Sequence, residues 1–127
     1  MKLFIIFFVY FIIEFTYLSF VQDKYKSIVT KIQSGRPAKF DVWPYGILSY
    51  ILLFTAFWYF FIYDVHIIKS KIDVFIRATV LALAIYGVFD LTLLVLFDKY
   101  TLFMALIDIF YGIFIFNVVG FLAYFLN

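Results

Sequence analysis

Cysteine is absent from the 127-residue chain, which excludes disulfides, thiol redox chemistry and thiolate metal sites. Histidine occurs once, at His66, too few ligands for a metal or haem centre, so no metal and no cofactor is expected. Charge is scarce as well. A net charge of +2 on a chain with 14% charged residues does not suggest a nucleic-acid partner. No glycine-rich phosphate loop, no Ser–His–Asp set and no lysine at a helix centre is present, so the chain does not read as an enzyme. Two intramembrane aspartates are the chemistry of an intramembrane protease, but the glycine-bracketed motif of those enzymes is missing.

Apolar residues are in excess. They make up 68% of the chain, with a mean hydropathy of +1.12. An ordinary globular domain holds roughly 45–50%, so the polar residues here are too few to coat a water-soluble surface, and lipid becomes the expected solvent. The 20 phenylalanines and 11 tyrosines outnumber what two boundary belts can hold. Rings packing against one another explain them better than an aromatic ligand cage.

Apolar runs of about 20 residues can cross a hydrocarbon core. They occur at about 3–21, 45–63, 74–97 and 101–126, predicting an all-α fold: one transmembrane domain over 1–127, an integral membrane four-helix bundle. The first run is expected to be a retained helix rather than a secretory signal. Tyr17-Leu18-Ser19-Phe20-Val21-Gln22 is too bulky for a cleavage site, and Glu14 interrupts the run. Between the first two spans, Tyr25, Ile28, Val29 and Ile32 recur at helical spacing among Lys24, Lys26 and Lys31. They predict a short amphipathic helix over about 23–33 on the membrane surface, started by Asp23 and ended by Ser34-Gly35 before Pro37. Trp43 and Pro44 suit an interfacial anchor and the first turn of span two.

Four spans put both termini on one face, with Lys2, Lys69, Lys71 and Arg77; the other face holds Lys24, Lys26, Lys31, Arg36, Lys39 and Lys99. Basic residues favour the cytoplasm, so the termini are expected outside. A tight turn at Asp98-Lys99-Tyr100 makes spans three and four antiparallel neighbours.

Three acids lie well inside the spans: Glu14, Asp90 and Asp108. Each stands about seven residues from the span end on the more basic face, roughly 10 Å deep, and Ser49 on span two reaches a similar level. The expectation is one polar layer. A carboxylate in lipid costs roughly 2.5–3.5 kcal/mol at mid-bilayer, which turns all three acids inward. Desolvation and mutual repulsion oppose three charges there, so at least one carboxyl is expected to hold a proton at neutral pH, unless a bound cation or a water-filled cavity compensates.

The neighbours fit this orientation. Tyr86 and Gly87 precede Asp90 by a turn, and Tyr111 and Gly112 follow Asp108 by one. Tyrosine hydroxyls can bond carboxyls, and small residues, here Gly87, Gly112 and Gly120, let helix backbones approach. Thr92 and Asn117 add polar groups. The candidate site is therefore Glu14, Asp90 and Asp108 supported by Tyr86, Tyr111, Ser49 and Thr92, binding a proton or small cation in a channel- or carrier-like protein. A chain this small would conduct as a homo-oligomer. Two other readings stay open: a structural or accessory membrane or viral-envelope protein whose acids only bond helices together, and a binder of lipid or another apolar ligand.

Phe89-Asp90-Leu91-Thr92-Leu93 and Asp108-Ile109-Phe110-Tyr111-Gly112 resemble the two hallmark motifs of domain-of-unknown-function family 2177, small membrane proteins of bacteria and some giant viruses. Glu14-Phe15-Thr16-Tyr17-Leu18 is similar to the acidic-aromatic stretch of that family's first helix. Phe89 replaces a tyrosine, Leu93 an asparagine, Tyr111 a tryptophan and Glu14 the usual aspartate. The resemblance implies a four-helix membrane fold, carries no established activity, and marks the same acids as the depth count.

Overall fold

The computed structural model describes residues 1–37 and 43–127; Lys39 of the basic connection lies outside them. Among the described residues, four helices are long and apolar enough to cross a membrane: Lys2–Ile32, Trp43–Tyr63, Lys71–Leu96 and Leu102–Leu126.

Helix α1 spans Lys2–Ile32. No glycine or proline precedes Gly35, so nothing breaks the backbone between Val21 and Asp23. The separate surface helix expected over 23–33 is therefore not formed. Its apolar stripe continues the α1 seam instead: Ile28 packs with Tyr100, Met104 and Ala105, flanked by Tyr25 and Ile32. At 1.5 Å per residue α1 is about 46 Å long, against about 30 Å of hydrocarbon, so its exposed Lys24, Lys26 and Lys31 end reaches past the lipid core. The predicted stop does hold. Ser34 takes φ 56° and Gly35 φ 92°, and the Gly35 N–H bonds the Thr30 carbonyl at 2.8 Å, closing the last turn.

Helix α2 (Trp43–Trp58) runs on into a wide π-helical turn at Tyr59–Tyr63 and a short 3-10 turn at Val65–Ile67. Ser70 and Asp73 form a reciprocal capping box that starts α3 (Lys71–Ala82). A second π turn, Leu83–Gly87, joins α3 to α4 (Val88–Leu96). Buried positions along this span are Val74, Ala78, Ala82, Gly87 and Asp90. They step by four until the π turn inserts an extra residue. That insertion rotates the helix so that Asp90, rather than Phe89, faces inward.

Thr101 caps α5 (Leu102–Leu126) through the Met104 N–H at 3.2 Å. This helix is the axis of the bundle. A third of its most apolar stretch is buried, against about a tenth in α1 and α2. Toward the termini its Ile115, Phe116 and Val119 meet Ile6, Phe57 and Phe61 in a packed apolar core. A Cβ on Gly120 would stand 2.9 Å from the Phe61 ring, which is why glycine occupies that position. Helix α2 joins through rings: Phe54 meets Phe7 at a tilt and Tyr10 and Phe11 edge-on, with centroids 4.5–5.3 Å apart. Outward, Phe4, Phe8, Ile12 and Phe15 form an exposed stripe along α1, a surface for lipid rather than water.

Candidate functional site

Helices α1 and α5 run antiparallel in a fixed register around the acids. Tyr25 meets Tyr100 edge-on, Tyr17 donates to Asp108 Oδ1 at 3.1 Å, and Tyr111 donates to Glu14 Oε2. Each step down one helix is a step up the other. Asp90 and Asp108 stand at matching distances from the turn that joins α4 to α5, and their carboxyls are close enough to interact directly. Glu14 sits opposite Tyr111, one turn beyond Asp108. It is therefore about 4.5 Å deeper than the other two acids rather than level with them.

The four hydrogen bonds these acids receive among the described residues all come from tyrosine hydroxyls. Glu14 takes one from Tyr50 at 2.9 Å and one from Tyr111, tying α1 to α2 and α5. Asp108 takes one from Tyr17. Asp90, fully buried, takes one from Tyr100 in the turn. Burial, with the Asp90 carboxyl beside it, holds the Tyr100 phenol above its ordinary range. The second Asp90 oxygen, Oδ2, has no hydrogen-bond partner among the described residues. A buried carboxyl oxygen without a donor is uncommon, because leaving a polar group unpaired costs about 1–3 kcal/mol. Beyond Glu14 the hydroxyls of Tyr10 and Tyr86 lie 3.4 Å apart.

Of the supporting residues named from sequence, Tyr86 and Tyr111 join the site and meet edge-to-face at 6.2 Å. Gly112 is buried directly beneath the Tyr86 ring, which occupies the space a Cβ would take. Gly87 is buried too, but a Cβ there would meet only Leu83 of its own span at 3.9 Å. Ser49 is exposed and bonds the Gly46 carbonyl at 2.7 Å. It lines an opening beside Glu14 and Asp108 without bonding either. Thr92 is exposed and bonds the Val88 carbonyl at 2.6 Å, apart from the acids. Asn117 lies deeper, with Thr79 at 3.3 Å.

Sequence reasoning missed Tyr10, Tyr17, Tyr50 and Tyr100 as carboxyl and hydroxyl partners. One signal was readable: Tyr10, Glu14 and Tyr17 follow a four-then-three spacing that puts all three on one face of α1. Tyr50 and Tyr100 carry no such local sign, since their acids lie on other helices.

A cavity of about 530 Å³ opens over the site. Glu14 and Asp108 line it with Tyr17, Tyr86 and Tyr111, beside the apolar Leu18, Val21, Val29 and Phe89 and the polar Gln22 and Lys26. No group of three or more metal-ligating side chains is assembled among the described residues.

Comparison with known proteins adds the family. Its model, described as "Predicted membrane protein (DUF2177)", matches residues 1–125. No curated protein and no solved structure matches the chain. This chain of four apolar helices, with its acids on the first, third and fourth spans, belongs to the predicted membrane protein family DUF2177.

Proposed function

We propose that this is a non-catalytic, carrier-like membrane protein whose Glu14, Asp90 and Asp108 form an intramembrane site for a proton or small cation. The observation that carries the reading is Asp90: fully buried, beside Asp108, with one oxygen that no donor among the described residues reaches. Two adjacent carboxyls in a low-dielectric interior do not hold two negative charges without compensation. A proton shared between them, or a cation taken up beside them, supplies it. Intramembrane carboxyls of this kind are the usual material of proton and ion pathways.

Access in the proposal is one-sided. The cavity leads toward the Lys24–Lys31 end of α1, which charge bias assigns to the cytoplasm. The opposite half of the bundle is filled by Phe57, Phe61 and Phe116. Transport would therefore need a rearrangement of that half, or a second copy of the chain.

The test is proton uptake into proteoliposomes under an imposed pH gradient. Uptake by wild type that is abolished in Asp90→Asn and Asp108→Asn is the expected result. Equal flux from wild type and both variants would sink the proposal. The rival reading, acids as helix glue, draws on the Tyr50–Glu14–Tyr111 bridge across three helices. It predicts that the asparagine variants fold and behave as wild type, because an amide oxygen still accepts a tyrosine proton.

A further inference from the structure

The cavity is far larger than a proton or a bare metal ion requires. At about 530 Å³ it falls within the roughly 300–1,000 Å³ of small-molecule sites. Its chemistry is divided. Leu18, Val21, Val29 and Phe89 give it apolar surface, Glu14 and Asp108 give it two carboxyls, and Lys26 and Gln22 line it on α1 beyond them. We infer that this cavity binds a lipophilic organic cation, entering sideways from the bilayer. The inference rests on the reading that the acids form a functional site, and it names the class of ligand that site takes.

The carboxyls and the apolar walls together favour that class over the others. A neutral apolar ligand gains nothing from Glu14 and Asp108, and an anion is repelled by them. A cation is attracted by both carboxyls, an attraction that strengthens where water is excluded. The tyrosine hydroxyls do not use up the acids. Asp108 accepts one such bond and Glu14 two, whereas a carboxylate has about four acceptor positions. Lateral entry follows from Leu18 and Phe89, which line the cavity yet are exposed on the lipid-facing surface. Lys26 also lines the cavity, a rise of about 18 Å along α1 from Glu14 and about 14 Å from Tyr17.

The probe is tetraphenylphosphonium, with tetraphenylborate, a matching anion of the same shape, as its control. Binding is measured by titration calorimetry on the full chain in detergent. Saturable phosphonium binding, absent for the borate and weakened about tenfold or more in Glu14→Gln and Asp108→Asn, is expected. Equal binding of the two ions, phosphonium binding unchanged by both substitutions, or no phosphonium binding overturns the inference. The comparison of the two ions on wild type decides even where the substituted chains fail to fold. Proton uptake that depends on Asp90, found without phosphonium binding, overturns the ligand class and leaves the proton site standing. Loss of both overturns both.

Discussion

Tyr17 lies flat on Tyr111, with ring centroids 3.6 Å apart and planes within 4° of parallel, yet the two hydroxyls serve different acids. Tyr17 donates to Asp108 on the helix that carries Tyr111, and Tyr111 donates to Glu14 on the helix that carries Tyr17. This exchange locks α1 against α5 in one register: a slip of a single residue rotates both rings away and breaks both bonds. In lipid, where apolar contact gives helices little preference for one another, packing and hydrogen bonds of this kind select the arrangement.

Separating bond from stack is therefore informative. Tyr111→Phe keeps the ring and removes one donor to Glu14, for an expected loss of about 1 kcal/mol. Tyr111→Leu also removes the stack, adding about 0.5–1.5 kcal/mol. Denaturant titration in mixed micelles measures both, and identical losses would show that the stack contributes nothing.

The two glycines beside the acids should behave in opposite ways. Gly112→Ala drives a methyl into the Tyr86 ring and should destabilise by about 1–3 kcal/mol. Gly87→Ala has room beside Leu83 and should be neutral or stabilising by up to about 1 kcal/mol. The same micelle titration ranks them; a harmless Gly112→Ala would place Tyr86 elsewhere.

Ser49→Ala and Thr92→Val remove hydroxyls that, among the described residues, bond only their own helix backbones on exposed faces. Stability should stay within about 0.5 kcal/mol and proton uptake should be unchanged. A loss of uptake in Thr92→Val would show that the threonine reaches the site in some working conformation.

Alkaline pH should loosen the loop end of the bundle through Tyr100. Its phenol is held above the ordinary value of about 10 in the folded chain. The unfolded chain therefore gives up that proton first. Stability is intact below about pH 10 and falls as pH rises beyond it toward the folded value. Tyr100→Phe should flatten that part of the stability–pH curve. An unchanged alkaline slope would contradict the burial of this phenol against Asp90.

Much of this architecture was legible in the sequence because the bilayer imposes lengths. Four apolar runs define four spans, and acids inside them have nowhere to turn but inward. Continuity of α1 was not legible. Residues 23–33 have the polarity of a surface helix whether they lie on the membrane or extend an upright helix, and only the seam onto Tyr100 and Met104 distinguishes the two. The π turn at Leu83–Gly87 was hidden as well, since no residue type marks it, although it sets the face on which Asp90 falls. The tyrosine partners stayed out of view for a related reason: with tyrosine so abundant, no single one stands out until the helices are assembled.

Because the chain has no cysteine of its own, introduced thiol pairs can report the contacts that bring the three acids and their tyrosine partners together. The pairs are Glu14→Cys with Tyr50→Cys, Tyr17→Cys with Asp108→Cys, and Asp90→Cys with Asp108→Cys. Phe15→Cys with Phe110→Cys, both exposed to lipid, is the control. Convergence predicts that a short bifunctional thiol reagent, applied in membranes, links each of the first three pairs within one chain and leaves the control pair unlinked. Failure of the Tyr17/Asp108 and Asp90/Asp108 pairs to link, or linking no greater than the control, would mean that the acids do not share a site.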